Sequence, residues 1–199
     1  DLAFAATLTA YPDPNPETAM TDPTSTPPAT GWRAHRQEIK FLALFLALLL
    51  GSFTVIAFKP VNDHVIEPFT AGVAKASGFV LAAIGQGTEM SGTIIRNQRF
   101  AVNIRNGCNG VEAMLIYGAA VLAFPAAWRT RIRGFLLGMV AIQIVNLVRV
   151  VALFLTGAYL PSLFDSSHTV IWQTIVILSS VVLWIYWAQR IVPRAQAAS

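Results

Sequence analysis

The single cysteine of this chain, Cys108, stands in Asn106-Gly107-Cys108-Asn109-Gly110-Val111-Glu112, where a polar, turn-rich stretch meets an apolar one. A lone thiol has no internal disulfide partner, so it either packs as a small hydrophobe or does chemistry as a thiolate. Its place between two glycines just before a helix suits the second use, because free backbone N–H groups there stabilise a thiolate. Downstream lie Arg149, an arginine inside an apolar run, and His168, at the mouth of the next run. Brought together, a thiol, a guanidinium and an imidazole are equipped for nucleophilic chemistry. The question is whether the three meet.

Arg149 most needs explaining, since an arginine near the middle of a membrane span costs roughly 2.5–3.5 kcal/mol on insertion scales. Gln143, Asn146 and Arg149 recur at spacing three and form a polar stripe. That stripe must face protein or water rather than lipid, as glue between helices or as a functional site. Glu112 follows Cys108 by four residues, one turn along the same face. Its expected partner is Arg149 or His168, in a structural ion pair or as part of the chemistry. His168, in Asp165-Ser166-Ser167-His168, could equally do no more than begin the last helix.

The elements that must position these residues are membrane helices. Hydrophobic residues make up 55% of the 199 and charged residues 12%, and the apolar ones fall in long runs. A run of about twenty residues crosses a bilayer core of about 30 Å as a helix. The expectation is an all-α polytopic membrane protein with about four transmembrane helices, an extracytoplasmic amphipathic helix and a small β-hairpin. The four expected spans are residues 39–58, 109–127, 134–157 and 169–190. Basic clusters at Arg33, Arg36 and Lys40, at Arg129, Arg131 and Arg133, and at Arg190 and Arg194 all lie inside under this arrangement. Residues 64–85 carry Lys75, with Ile66, Phe69, Val73, Ala76, Val80 and Ile84 at helical spacing. They read as a surface helix on the outer side, because a fifth span would reverse everything after it. Residues 93–105 alternate as a hairpin with a turn near Asn97-Gln98. Cys108, Arg149 and His168 then all fall on the extracytoplasmic side.

The proline-rich residues 1–34 read as a disordered tail, ahead of a membrane-embedded domain over residues 35–199. Residues 1–19 lack the pattern of a cleavable signal peptide, and Met20 is a candidate native start. The +4 net charge bears on topology; no nucleic-acid motif accompanies it. His35, His64 and His168 show no ligand spacing, so neither a metal nor a cofactor is expected, and a redox enzyme would want a second, resolving cysteine.

Asn106-Gly107-Cys108-Asn109-Gly110 ahead of one apolar helix, Asn146-Leu147-Val148-Arg149 late in the next, and His168 opening a third resemble the exosortase/archaeosortase family, most closely its exosortase H subgroup. The resemblance covers about residues 39–192. It departs from the eight-helix exosortases in having fewer spans, as though an N-terminal helical part were missing. It implies a sortase-like cysteine peptidase or transpeptidase of the bacterial inner membrane, acting on exported proteins that carry a C-terminal sorting signal of motif, transmembrane helix and basic tail. Cys108 would form a thioester, His168 would move the proton, and Arg149 would stabilise the oxyanion, with Asn146 holding Arg149 in place and Asn109 and Glu112 in support. Water or an amine-bearing acceptor would take the acyl group. Two other readings stay open: a small polytopic transporter, or a non-enzymatic assembly protein in the bilayer, built on the Glu112, Gln143, Asn146 and Arg149 stripe.

Overall fold

Leu- and Ala-rich runs favour helix, and the structure, a computed structural model describing residues 35–164 and 167–196, is mostly helical. The expected tail, residues 1–34, lies outside the described residues. Helix α1 (Arg36–Ala57) buries none of its side chains within the chain, as suits an apolar helix surrounded by lipid. The short α2 (Lys59–Val61), a wide π turn (Asn62–Ile66) and α3 (Glu67–Ala83) continue as one helical stretch. Three short strands follow, β1 (Glu89–Ser91), β2 (Ile94–Arg96) and β3 (Ala101–Asn103), antiparallel in the order β1-β2-β3. Helices α4 (Val111–Ala123), α5 (Trp128–Tyr159) and α6 (Trp172–Gln196) complete the chain, α6 being entered through a π turn at Ser167–Ile171.

The lengths of α4 and α5 follow from their ends. Gly110 in a left-handed conformation (φ 78°) starts α4, and Phe124, extended ahead of Pro125, stops it after 13 residues. Such a helix is about 20 Å long, short of a full crossing. It is nevertheless enclosed, burying Val111, Ala113, Tyr117 and Val121 against α5 and α6. Helix α5, with 32 residues, is about 48 Å long and extends past residues 134–157 at both ends.

Two ends of the helical bundle can be told apart. At one, Phe41 of α1 stacks on Trp184 of α6 and meets Phe124 edge-on, and Arg131 donates to the carbonyls of Leu122 and Ala126. Lys40 and the arginines in the first two turns of α5 therefore belong to this end. At the other, Asn106 Nδ2 donates to Asn62 Oδ1 over 2.9 Å, joining the residue after α2 to the loop before α4. Everything from Asn62 to Asn106 is thus an excursion that leaves and returns at one place.

Among the described residues the helices long and apolar enough, by length and composition, to cross a membrane are the expected four in number, Arg36–Ala57, Lys59–Ala83, Trp128–Tyr159 and Trp172–Arg190, and α4, within the expected span 109–127, is a shorter apolar helix. The face that α3 turns inward is made mostly of small residues. Thr70, Ala74, Ser77, Gly78 and Leu81 are buried, whereas Phe69, Val80 and Ile84 point out. Small residues let backbones approach, and larger apolar side chains stay on the outside, as expected of a helix whose solvent includes lipid. The hairpin with its turn at residues 97–100 is present, but β1 adds a third strand that alternation in residues 93–105 did not reveal. Because the excursion closes on itself, the added strand does not move Cys108 to the other end of the bundle.

The bundle depends on close approach at Gly138, where an added Cβ would fall on the Tyr117 ring, whose hydroxyl donates to Gly134 O over 2.8 Å. Gly138→Val should destabilise the protein by about 1–3 kcal/mol. Gly51→Ala, at a position with open space, should not. Thermal unfolding of the two purified variants in detergent checks this; equal melting temperatures would contradict it.

Candidate active site

The loop before α4 is shaped by two left-handed glycines, Gly107 (φ 88°) and Gly110 (φ 78°), which reverse the chain on either side of Cys108 and Asn109. A Cβ on Gly110 would meet Gln143 Nε2 at 2.9 Å and Asn146 Cγ at 3.0 Å, so space as well as conformation requires glycine there. Within the turn, Cys108 N–H donates to Arg105 O over 2.9 Å.

Side chains then fasten the loop on three sides. Asn109 is fully buried, and its Oδ1 accepts the Val111 N–H (3.1 Å) while its Nδ2 donates to Thr70 Oγ1 (2.9 Å). This ties the start of α4 to α3. Glu112, in the first turn of α4, reaches back so that Oε1 accepts the Gly107 N–H over 2.8 Å. From α5, Gln143 Nε2 donates to Asn109 O over 3.2 Å. Arg149, 1% exposed, sends Nη1 to Gly107 O (3.0 Å) and places Nη2 3.7 Å from Cys108 Sγ. A charge buried among apolar helices needs such partners.

His168 arrives from the opposite side, sixty residues later in the chain, with Nε2 2.8 Å from Cys108 Sγ. Its imidazole stacks on Phe164, with ring centroids 5.7 Å apart and planes inclined by 12°. Phe164 meets Phe100 edge-on, and Phe100 in turn meets the buried Phe154. This aromatic row links the imidazole to the hydrophobic core beneath the sheet.

The structure therefore gathers Cys108, Arg149 and His168 at one point. Asn109 and Glu112 hold the loop rather than contact the other two. Glu112 hydrogen-bonds the Gly107 N–H instead of Arg149 or His168. Asn146 is fully buried beside Gly110 and makes no bond to Arg149; among the described residues neither atom of its amide has a hydrogen-bond partner. Thr70, Asn62 and Phe164 belong to the surroundings of the site and were not anticipated. For Thr70 a signal existed, since Ile66, Thr70, Ala74, Ser77 and Leu81 recur at helical spacing and are all buried. No three His, Cys, Asp or Glu side chains form a metal-binding group among the described residues.

Burial pushes the Cys108 thiol above its ordinary pKa. The Arg149 charge opposes this, the Glu112 carboxylate reinforces it, and a backbone hydrogen bond from Arg105 opposes it more weakly. A thiol whose ionisation burial disfavours reacts more readily with a base beside it.

The sequence profile of the transmembrane exosortase family matches residues 29–186. No curated protein and no solved structure matches the chain. The matched region takes in the helical bundle, the sheet and every residue placed at the site, from Asn62 to His168, and so this multi-pass membrane protein belongs to the transmembrane exosortase family.

Proposed function

We propose that the chain is a membrane cysteine peptidase or transpeptidase that cleaves the C-terminal sorting signals of exported proteins on the extracytoplasmic face of a bacterial inner membrane. The observation that carries this reading is the approach of His168 Nε2 to within 2.8 Å of the only thiol, beside a buried guanidinium. With family membership, it supports Cys108 as the nucleophile and His168 as the base.

The chemistry is that of acyl transfer. The Cys108 S–H proton passes to His168 Nε2 as the sulfur attacks the scissile carbonyl carbon and the C=O electron pair moves onto oxygen. Arg149 offsets the charge of the thiolate and of the oxyanion from a fixed position in a water-poor setting. Collapse of the tetrahedral adduct breaks the C–N bond, and the imidazolium returns its proton to the departing amine. A thioester on Cys108 remains until water or an acceptor amine, deprotonated by His168, attacks it and releases the thiol. Asn109, Glu112 and Gln143 keep the loop in register for this.

The polar stripe supports this reading over transport. Gln143 and Arg149 donate to carbonyls of the Cys108 loop, so the stripe ends at the thiol. The basic residues at the opposite end of the bundle favour a cytoplasmic location for that end and an outer location for Cys108.

Cys108→Ala, His168→Ala and Arg149→Gln should each lower processing of a co-expressed tagged reporter ending in a sorting signal by about 100-fold or more, at normal enzyme abundance. Full processing by any well-expressed member of this set removes that residue from the mechanism. In intact spheroplasts a membrane-impermeant maleimide should label Cys108; labelling that requires an opened cytoplasmic face contradicts the orientation. The rate of that labelling should rise with pH to a midpoint above that of an ordinary thiol. In Arg149→Gln the midpoint should move higher still, because the charge that favours the thiolate is gone. A midpoint that falls or stays put would show that Arg149 does not act on the sulfur.

A further inference from the structure

Strand β3 leads directly into the Cys108 loop, and its hydrogen-bond register leaves one side unused. Ile104 N–H donates to Thr93 O and Asn97 N–H to Phe100 O, each over 2.9 Å, and Ile95 lies opposite Val102. Ladder bonds in an antiparallel pair fall on every second residue pair. They therefore fall on 93/104, 95/102 and 97/100, and Ala101 and Asn103 turn their N–H and C=O groups away from β2. That side is the free edge of the sheet, since β3 is last in the order β1-β2-β3. Ala101 and Asn103 are exposed, and among the described residues nothing is bonded to their backbone N–H or C=O groups. Open edges of this kind are templates for another strand.

The surroundings indicate what the edge accepts. Just past β3, Arg105 O receives the Cys108 N–H, so a chain laid along β3 is led to the thiol. At the same end of the strand is a cleft of about 500 Å3, lined by Asn103, Arg105 and Asn106 together with Asn62, Glu67 and Thr70. Its amides, hydroxyls and opposite charges suit the side chains and peptide groups of an extended polar segment. They do not suit an apolar helix.

We infer that the free edge of β3 binds, by strand addition, the extended backbone on the acyl side of the bond that Cys108 attacks, with the adjoining polar cleft receiving side chains of that segment. This rests on the peptidase reading above. The leaving side, which continues into the substrate's membrane helix, lies beyond the thiol and off the strand.

Asn103→Pro tests the idea, because it removes an edge N–H and no ladder N–H, and the preceding Val102 is already extended. Processing of the tagged reporter at limiting concentration should fall about tenfold, while Cys108 reacts with a small maleimide at the wild-type rate. Unchanged processing in Asn103→Pro, with Cys108 still essential, overturns the inference alone. Processing that survives Cys108→Ala removes the peptidase reading and the inference with it. The wild-type protein supplies a second measurement, using competitor peptides of the reporter's motif N-methylated at one amide at a time. Inhibition should be lost at alternate amides, matching the alternation of Ala101 and Asn103. Loss at consecutive amides, or at none, overturns strand addition even if Asn103→Pro fails to fold.

Discussion

The buried charge of Arg149 is the constraint around which the site is organised. A guanidinium enclosed by apolar helices must have its donors met or be strongly unfavourable. Here the nearest acceptor is Gly107 O, in a loop that would otherwise have little reason to lie against α5. The bond from Nη1 to that carbonyl places Cys108 beside the guanidinium, whose Nε has no hydrogen-bond partner among the described residues. Gln143 and Glu112 extend the same solution, one from α5 to the Asn109 carbonyl and the other from α4 to the Gly107 N–H. The same positive charge offsets part of what burial does to the thiol.

Around this centre the fold works as two parts joined at one place. The apolar helices carry the basic residues at one end, and the segment from Asn62 to Asn106 builds a helix and a sheet at the other. The Asn62–Asn106 hydrogen bond and the Asn109–Thr70 hydrogen bond lock that segment to the Cys108 loop from two directions. The sheet thus presents an open edge of β3, whose last residues lead into that loop. The His168 side is supported differently, by the Phe164, Phe100 and Phe154 rings in succession.

Much of this is legible in the sequence alone. Runs of Leu, Ile, Val and Ala dictate membrane helices wherever they occur, because backbone polar groups in lipid must be bonded within the segment. The three residues proposed for chemistry stood out for local reasons: a unique thiol between glycines, an arginine in an apolar run, and a histidine at the mouth of a helix. The β2–β3 turn was visible in alternation. Less legible were the roles of α3 and α4. Hydropathy alone read residues 109–127 as a span, yet Gly110 and Pro125 trim the helix between them to 13 residues. In α3 the apolar face read from periodicity keeps Phe69, Val80 and Ile84 exposed, while the small residues Thr70, Ala74, Ser77 and Gly78 pack inward.

By itself, then, the sequence determined the class of molecule, the polar stripe on α5, and the chemistry available to Cys108, Arg149 and His168, all of which depend on side-chain type and local spacing. Only the tertiary structure decided that His168 Nε2 comes to the thiol across sixty residues of chain, that Glu112 binds a backbone N–H rather than a cation, and that the excursion from Asn62 to Asn106 closes on itself. The reason is physical. Helical periodicity reports which residues share a face, but the partner of that face is chosen by how helices of particular lengths pack and by which buried polar groups must be satisfied together.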